Sequence, residues 1–310
     1  MGDDQLRRFQ QAVQRDVTAA FYDVLLTKEL AAIAGHNLAQ KERHLDEARR
    51  RLEMGVATDY DVLSAEVAVA NARPDVIRTA NLVRTARKRL ALLLAEEGRE
   101  VDADGSLAAP PEAVPEYGEL LATAFAARPE LAEIGHLRQV AEELVKIRGA
   151  GDRPRLDLRA GYGWMDLDVG ELETAGKVWN AGIYLSFPVF DGLRTRAQVA
   201  AARSDLRTVS IGENQLRQAI SVEVRAALDA VAEAEAIVGA LEGTVAQAER
   251  LVAMAEEGFG LGVKTRLEVD DAELNLVSAR GNLARGRRDL LVARTTLRWV
   301  AGTLGEGPIS

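Results

Sequence analysis

Two stretches of the chain carry apolar residues at a strict seven-residue spacing. The repeated positions are Val17, Val24, Ala31, Leu38, Leu45 and Leu52 in the first stretch, and Val224, Val231, Val238, Val245 and Val252 in the second. The companion positions hold small side chains such as Ala34 and Ala248. A sustained heptad predicts long helices packed as left-handed coiled coils, and small companions let the helix axes approach closely. On the heptads alone, a plain coiled-coil rod is an equal alternative.

Glycines and capping residues divide these stretches into four long helices. We expect helices over about residues 5–54, 59–97, 194–257 and 265–301, with only Gly35 interrupting the first. The breaks are Gly55 in the first pair and the glycine-rich segment 258–262 in the second. Thr58 and Thr265 are the expected N-caps of the returning helices. Each pair is therefore predicted to form a helical hairpin.

The two hairpins are copies of one another. Residues 45–98 align without a gap on residues 252–305, with 14 identities in 54 positions, including a shared Gly-Val-x-Thr at each tip. A period of 207 residues is too long for a solenoid repeat and indicates duplication of a whole structural half. We therefore divide the chain into a first repeat at 1–97, which holds only a helical hairpin, a connector at 98–116 and a second repeat at 117–310.

Between the hairpins the hydrophobic period changes from about 3.5 to 2. After two short helices over 117–128 and 129–148, alternating residues predict two strands of about 9–11 residues within 155–190. An acidic loop with Asp166, Asp168, Glu171 and Glu173 is expected to join them. Six of the chain's 14 aromatic residues lie between Tyr162 and Phe190.

This pattern is typical of a transmembrane β-hairpin with one apolar face toward lipid. The predicted lipid-facing residues are Leu158, Tyr162, Trp164, Trp179, Ile183, Leu185 and Phe187. The alternative is a soluble hairpin with one buried face. It is disfavoured because the alanine-rich helices offer few large side chains against which such a face could pack.

The amino-acid composition excludes several classes of function. A net charge of -9 argues against a nucleic-acid partner, and the absence of cysteine excludes disulfides, thiolate catalysis and cysteine-ligated zinc. His36, His44 and His136 lack metal-ligand spacing, and the pairing of His44 with Glu47 is interpreted as surface polarity. The glycines of 258–262 follow a helix rather than a strand, so they predict no dinucleotide site. We expect no enzymatic activity, no cofactor and no metal.

The order of strand, strand, long helix, tip and returning helix resembles the TolC-like outer-membrane efflux channels. The residues that carry the resemblance are Ala127 to Leu131, Phe187 to Gly192, Gly55 to Thr58, Asp61 to Leu63 with Ala65, Gly262 to Thr265, Leu267 to Val269, and Ala272 with Glu273. The resemblance spans essentially the whole chain. It implies a mainly α fold, with very long antiparallel coiled-coil helical hairpins in two repeats plus a transmembrane β-hairpin, assembled into a trimeric α/β barrel channel.

This chain departs from the family pattern at its start, and the departure affects the length expected for the whole subunit. The family's first repeat also begins with a strand pair, and three chains of four strands close a twelve-stranded barrel, whereas three copies of this chain supply six strands. An open sheet edge in lipid leaves backbone groups unpaired. We therefore expect an N-terminally incomplete chain that lacks a signal peptide, two strands and part of its first helix. The start of the chain, which has no signal peptide, then carries no information about compartment.

The resemblance also implies a function. It predicts a homotrimeric, passive conduit in the outer membrane and periplasm, serving a tripartite efflux or type I secretion system with a periplasmic adaptor and an inner-membrane pump. Asp61, Lys264, Glu268 and Asp271 are the expected aperture residues, although helix-start carboxylates favoured by the macrodipole are an equal alternative. The expected adaptor-contact tips are Gly55, Val56, Ala57, Thr58, Gly262, Val263 and Thr265. The alternative function is a soluble periplasmic coiled-coil scaffold or adaptor-like protein. The sequence does not identify an exported substrate.

Overall fold

A computed structural model describes residues 2–96, 98–169 and 172–305, without the side chains of 166–169 and 172–175. Its elements in chain order are α1 (Gly2–Glu53), α2 (Asp59–Leu93), α3 (Tyr117–Ala127), α4 (Pro129–Gly149), a 3-10 turn (Ala150–Asp152), β1 (Arg155–Val169), β2 (Leu172–Ser186), α5 (Arg194–Gly260) and α6 (Arg266–Val300). None of the described helices is both long and apolar enough to cross a membrane.

The chain forms two compact units. The first, which we name the hairpin unit, holds residues 131–217, and the second, the helical unit, holds residues 2–130 and 218–305. The division into repeats at 1–97, 98–116 and 117–310 stays a prediction, because these units are defined by spatial contact and not by sequence duplication.

The predicted heptads face inward in the helical unit. Val24 and Val224 are fully buried, and Val231 and Val252 are 1% and 8% exposed. The companion alanines are buried beside them, as at Ala34. Among the described residues that are fully buried, the largest side chain is an isoleucine, Ile220. The core is therefore a thin layer of small, mostly β-branched and alanine side chains, as coiled-coil packing requires.

The 207-residue repeat is retained in the backbone. Helices α2 and α6 are both 35 residues long and begin and end at equivalent positions. At each tip a glycine takes a left-handed conformation, with φ of 73° at Gly55 and 75° at Gly262. The next amide then closes the preceding helix, since Val56 N donates to Arg51 O and Val263 N to Gly258 O, both at 2.9 Å. This is a Schellman end, and both tips have it.

The connector crosses the helices and is fastened at two points. Asp102 accepts hydrogen bonds from Lys28 at 3.2 Å and from Arg87 Nη2 at 2.8 Å, so it joins α1 and α2. Further on, Arg294 of α6 donates to Pro110 O at 2.7 Å. Between these points, Ala103 inserts into the core formed by α1, α2 and α6. The connector is therefore part of the packed core.

Strands β1 and β2 form an antiparallel hairpin. The register pairs Leu158 with Ile183 and Tyr162 with Trp179, so the predicted apolar residues lie on one face. The expected strand length is wrong, because each strand has 15 residues. Asp166, Asp168 and Glu173 lie within the strands and not in a loop, and Glu171 lies outside the described residues. Backbone pairing continues past the end of the apolar alternation, since ladder hydrogen bonds do not depend on side-chain polarity.

Three helices also differ from expectation. Helix α1 continues through Gly35 without interruption, and α5 runs on to Gly260, so the second tip is shorter than the glycine-rich segment. Helix α2 ends at Leu93 and not near residue 97. It stops there because Ala95 takes a left-handed conformation, with φ of 54°, and the following amide of Glu96 returns to Ala91 O. Isolated glycines inside long packed helices cost only about 1 kcal/mol, which packing overcomes.

The left-handed tip glycine gives a direct test of this fold. We expect Gly262→Ala to lower the free energy of unfolding by about 1 kcal/mol, because a side chain in the left-handed region is strained. No heavy atom lies within 4 Å of the added methyl group, so the effect would come from the backbone alone. Urea unfolding followed by helical circular dichroism measures it.

Gly260→Ala is the matched control. This glycine is also unobstructed, but it belongs to α5 and has no positive φ. The substitution should leave stability unchanged or raise it slightly, since alanine has the higher helix propensity. Equal losses in the two variants would contradict the assigned tip conformation.

Candidate functional site

Each returning helix begins with a capping box that contains a predicted aperture residue. Thr58 N donates to Asp61 Oδ2 at 2.8 Å, and Thr265 N donates to Glu268 Oε2 at the same distance. In return, the amides of Asp61 and Glu268 donate to the threonine hydroxyls at 3.4 Å. Both predicted N-caps are confirmed. Asp61 and Glu268 are equivalent positions of the repeat, and each satisfies helix-start amides.

The capping bonds hold both carboxylates in the charged form. Hydrogen bonds from the backbone and then the side chain of Thr58 lower the pKa of Asp61. The Lys264 ammonium, followed by the Thr265 amide, lowers the pKa of Glu268 to about 2. The contact between Lys264 Nζ and Glu268 Oε1 is 2.6 Å. Two of the four predicted aperture residues are therefore in direct contact.

The other two aperture residues are separate. Within the described ranges 2–96, 98–169 and 172–305, no hydrogen bond or ion pair joins Asp61 to Lys264, Glu268 or Asp271. Asp271 is exposed on α6, and no described residue forms an ion pair with it. Its carboxylate is thus uncompensated, unlike those of the capping boxes.

The tips expose apolar side chains. Val56 and Val263, equivalent in the repeat, are 64% and 76% exposed. Thr58, Thr265, Gly55 and Gly262 are also exposed, and Ala57 is half-buried. The neighbouring side chains Met54, Tyr60, Leu63, Leu261 and Leu267 are exposed as well. Clustered exposed apolar residues on a rigid turn are a suitable surface for another protein.

The β-hairpin presents a second exposed apolar surface. All seven predicted lipid-facing side chains are between 63% and 77% exposed, namely Leu158, Tyr162, Trp164, Trp179, Ile183, Leu185 and Phe187. On the opposite face, the Arg159 guanidinium lies 5.0 Å from the ring centroid of Tyr184. The two faces therefore differ in polarity. A strand face with this much exposed aromatic and aliphatic area requires an apolar environment or a partner.

A buried ion cluster joins α1 to α6 and was not predicted from the sequence. Glu273 of α6 is 2% exposed. Its carboxylate accepts hydrogen bonds from Gln40 Nε2, Lys41 Nζ and His44 Nε2, each at 2.7 Å. Lys41 also contacts Asp270 at 2.8 Å. The interpretation of His44 with Glu47 as surface polarity is wrong, because His44 is half-buried and bonds Glu273 instead.

The contacts of His44 indicate which ring nitrogen donates a hydrogen bond and which accepts one. Arg266 Nη1 lies 2.9 Å from His44 Nδ1. A guanidinium can only donate, so Nδ1 accepts and the ring proton lies on Nε2, which donates to Glu273. His44, Glu256 and Glu273 bring ligand atoms within 4.8 Å of one another. A metal bound to Nε2 would displace the Nε2 proton. Moving that proton to Nδ1 would place it against the Arg266 guanidinium, which cannot accept a hydrogen bond. The arrangement therefore suits an ion cluster better than a metal site.

The cluster holds Glu273 ionised although it is buried. Burial alone would raise the pKa of Glu273, but the hydrogen bonds from His44 and Lys41 outweigh it and lower the pKa to about 2. The corresponding residue of the first repeat is Glu66, which makes an exposed contact of 2.8 Å with Arg49. The same glutamate thus has a surface role in one hairpin and a buried role in the other.

These features match one protein family. The family model described as outer membrane efflux protein covers residues 120–303, more than half of the chain. The chain belongs to this family. Its members are outer-membrane channel proteins and not enzymes, so the predicted family, location and non-enzymatic class are confirmed.

Two relatives and one solved structure agree with this membership. The outer membrane efflux protein BepC of Brucella suis is 26% identical over 305 residues, which are 97% of this chain and 65% of BepC. The alkaline protease secretion protein AprF of Pseudomonas aeruginosa is 25% identical over 316 residues, covering 100% of this chain and 65% of AprF. The chain thus spans just under two thirds of the length of these relatives.

The solved structure is a membrane protein from Pseudomonas aeruginosa with 21% identity and a TM-score of 0.78. The match covers 97% of this chain and 70% of that one. This likeness confirms the predicted fold class, namely long helical hairpins with a small antiparallel sheet.

Removing the buried carboxylate tests the ion cluster. We expect Glu273→Gln to lower the free energy of unfolding at neutral pH by about 3 kcal/mol, because Lys41 loses a buried partner. Glu66→Gln is the matched control at the equivalent position of the first repeat, and it should cost less than about 1 kcal/mol. Urea unfolding of both variants measures the difference.

The same pair of variants has a defined pH dependence. The pKa of Glu273 is lowered to about 2 in the folded chain, so its stabilisation is present above its usual value of 4.5 and is lost as the pH falls toward 2. The stability difference between wild type and Glu273→Gln should therefore shrink over this range. A difference that stays constant from pH 7 to pH 3 would contradict the assigned contacts.

Proposed function

We propose that the chain is a subunit of a homotrimeric outer-membrane conduit that passes solutes without catalysing a reaction. The observation that carries the proposal is the apolar face of the β-hairpin, whose side chains are at least 63% exposed. Lipid is the environment that satisfies such an apolar face, and pairing with further strands would complete the backbone hydrogen bonds at the two outer edges of the hairpin. Family membership supports the same environment.

The helical hairpins would then form the periplasmic part of the conduit. Their heptad seams leave exposed apolar residues on α2 and α5, such as Ile77, Val222 and Met254. Packing against further copies of the chain would bury these residues, as the inner seams already bury theirs. The relatives are described as an efflux protein and a protease secretion protein. Small solutes and secreted proteins are therefore both candidate cargo.

We further propose that the tips contact a periplasmic adaptor, which links the conduit to an inner-membrane pump. The support is the exposed apolar surface repeated at both tips, including Val56 and Val263.

A soluble periplasmic scaffold is the second candidate function, because a coiled coil with exposed tips also suits such a protein. The exposed hairpin face favours the conduit, because lipid would cover it.

Planar bilayer recordings test the conduit. Trimers with a closed barrel should form cation-selective channels, whereas a soluble scaffold would give none. The Lys264→Ala and Asp271→Ala double variant should raise single-channel conductance, because it removes two of the four charged groups that are expected to constrict the aperture. Asp271→Asn alone should lower the preference for cations. Glu233→Gln removes an exposed carboxylate far from the tip in sequence, and it serves as the control. Unchanged conductance and selectivity in the Asp271 variants would refute the aperture assignment.

Cysteine crosslinking tests the tip contact. The chain has no cysteine, so a single introduced thiol is unambiguous. Val263→Cys in cells should give a crosslinked product that contains a periplasmic adaptor, identified by mass spectrometry. Ile77→Cys is the control, since Ile77 is 71% exposed on α2 but lies away from either tip in sequence. Adaptor capture at both positions, or at neither, would contradict the tip assignment.

A further inference from the structure

Basic residues concentrate where the β-hairpin meets its helices. Segments 146–159 and 187–203 contain eight basic and three acidic side chains, a local charge of +5 in a chain of net charge -9. The basic residues are Lys146, Arg148, Arg153, Arg155, Arg159, Arg194, Arg196 and Arg203. The remainder of the chain is therefore strongly acidic, and this region has the opposite sign.

The fold brings the two segments together. Gly151 packs so closely on Thr195 that an added Cβ would lie 2.8 Å from the threonine Oγ1, and Thr195 is 8% exposed. A larger residue at this position would require the Thr195 side chain to shift. Along the chain, Arg148 and Arg153 lie on either side of Gly151, and Arg194 and Arg196 lie on either side of Thr195. We name these four exposed residues the arginine patch.

Two of the three acidic groups in these segments already have partners. Asp191 Oδ2 accepts a hydrogen bond from Thr195 N at 2.7 Å, and Asp157 pairs with Arg155 at 2.9 Å. Over the part of the chain that the structure describes, no hydrogen bond or ion pair joins the guanidinium groups of Arg148, Arg153 or Arg196 to a carboxylate. By contrast, the buried Arg128 of the helical unit contacts Glu130 and Glu223.

Exposed apolar residues lie beside the patch in the chain. Phe187, Val189, Phe190 and Leu193 follow β2 and are 63%, 87%, 82% and 62% exposed. Arginines next to exposed aromatic and aliphatic side chains are typical of the boundary between lipid tails and water. Guanidinium groups bind phosphate oxygens through paired hydrogen bonds. The combination favours a phosphate carried by a lipid over free phosphate.

We propose that the arginine patch binds the headgroups of anionic phospholipids where the hairpin leaves the membrane. This rests on the proposed function, because the hairpin must enter lipid for the patch to reach the headgroups. An otherwise acidic chain would be repelled by an anionic leaflet. The patch supplies local attraction where the hairpin meets that surface.

Tryptophan quenching by brominated lipids tests the proposal. Trp164 and Trp179 lie on the hairpin, and Trp299 lies on α6 under Arg15, where it gives a constant background. The full chain is reconstituted into phosphatidylcholine vesicles that contain either brominated phosphatidylglycerol or brominated phosphatidylcholine. At low salt, phosphatidylglycerol should be preferred by at least about threefold, and high salt should remove the preference.

The variants separate the patch from general charge. Replacing the four patch arginines with glutamine should abolish the preference, and replacing them with lysine should largely restore it. The matched control replaces Arg43, Arg50, Arg89 and Arg250 with glutamine, because these are also exposed and lie in the helical unit. It carries the same charge change and should keep the preference. Helical circular dichroism verifies that every variant is folded.

Three outcomes would overturn the proposal. Equal quenching by the two brominated lipids means that the patch does not select headgroups. Loss of the preference when inorganic phosphate replaces chloride at matched ionic strength means that it binds free phosphate. Quenching by neither lipid overturns the proposed function too, because the hairpin is then outside the membrane.

Discussion

The helical unit depends on a seam of small apolar side chains at a seven-residue spacing. Its fully buried side chains are valines such as Val24 and Val269, together with Ile220. Their size lets the helix axes lie close, and their burial supplies the main favourable free energy of packing. Such side chains give little shape specificity, however, since one valine fits a neighbouring hole nearly as well as the next. The axial register must be fixed by other contacts.

Polar contacts at defined positions supply that register. The capping boxes and left-handed glycines set where each hairpin turns, and they do so identically at an offset of 207 residues. The Glu273 cluster sets how α1 lies along α6, because a slip of one turn would leave a buried carboxylate without Lys41 and His44. It also breaks the internal symmetry, since Glu66 at the equivalent position lies on the surface.

Much of the fold, and part of the site, could be predicted from the sequence. Periodicity, glycine and threonine located the helices and the tips, because these signals act within a few residues of the structure that they determine. The strand ends could not be predicted, because β1 and β2 continue into Asp166 and Glu173 after the apolar alternation stops. The contact between His44 and Glu273 was equally inaccessible. Its partners are 229 residues apart, and nothing in the sequence around either residue specifies the other as its partner.

The tip carboxylates differ in what their charge can do. Asp61 and Glu268 are engaged by helix amides, and Glu268 also lies 2.6 Å from an ammonium, so their fields are largely compensated locally. Asp271 is exposed and has no described ion-pair partner, and the equivalent position of the first repeat is Ser64. Among the predicted aperture carboxylates Asp61, Glu268 and Asp271, only Asp271 therefore has neither a capping role nor a counterion among the described residues. If three tips surround a common axis, the Asp271 charges repeat at one level and their potentials add. Selectivity at such a mouth should depend more on Asp271 than on the capping pair, although the same short motif contains both Glu268 and Asp271.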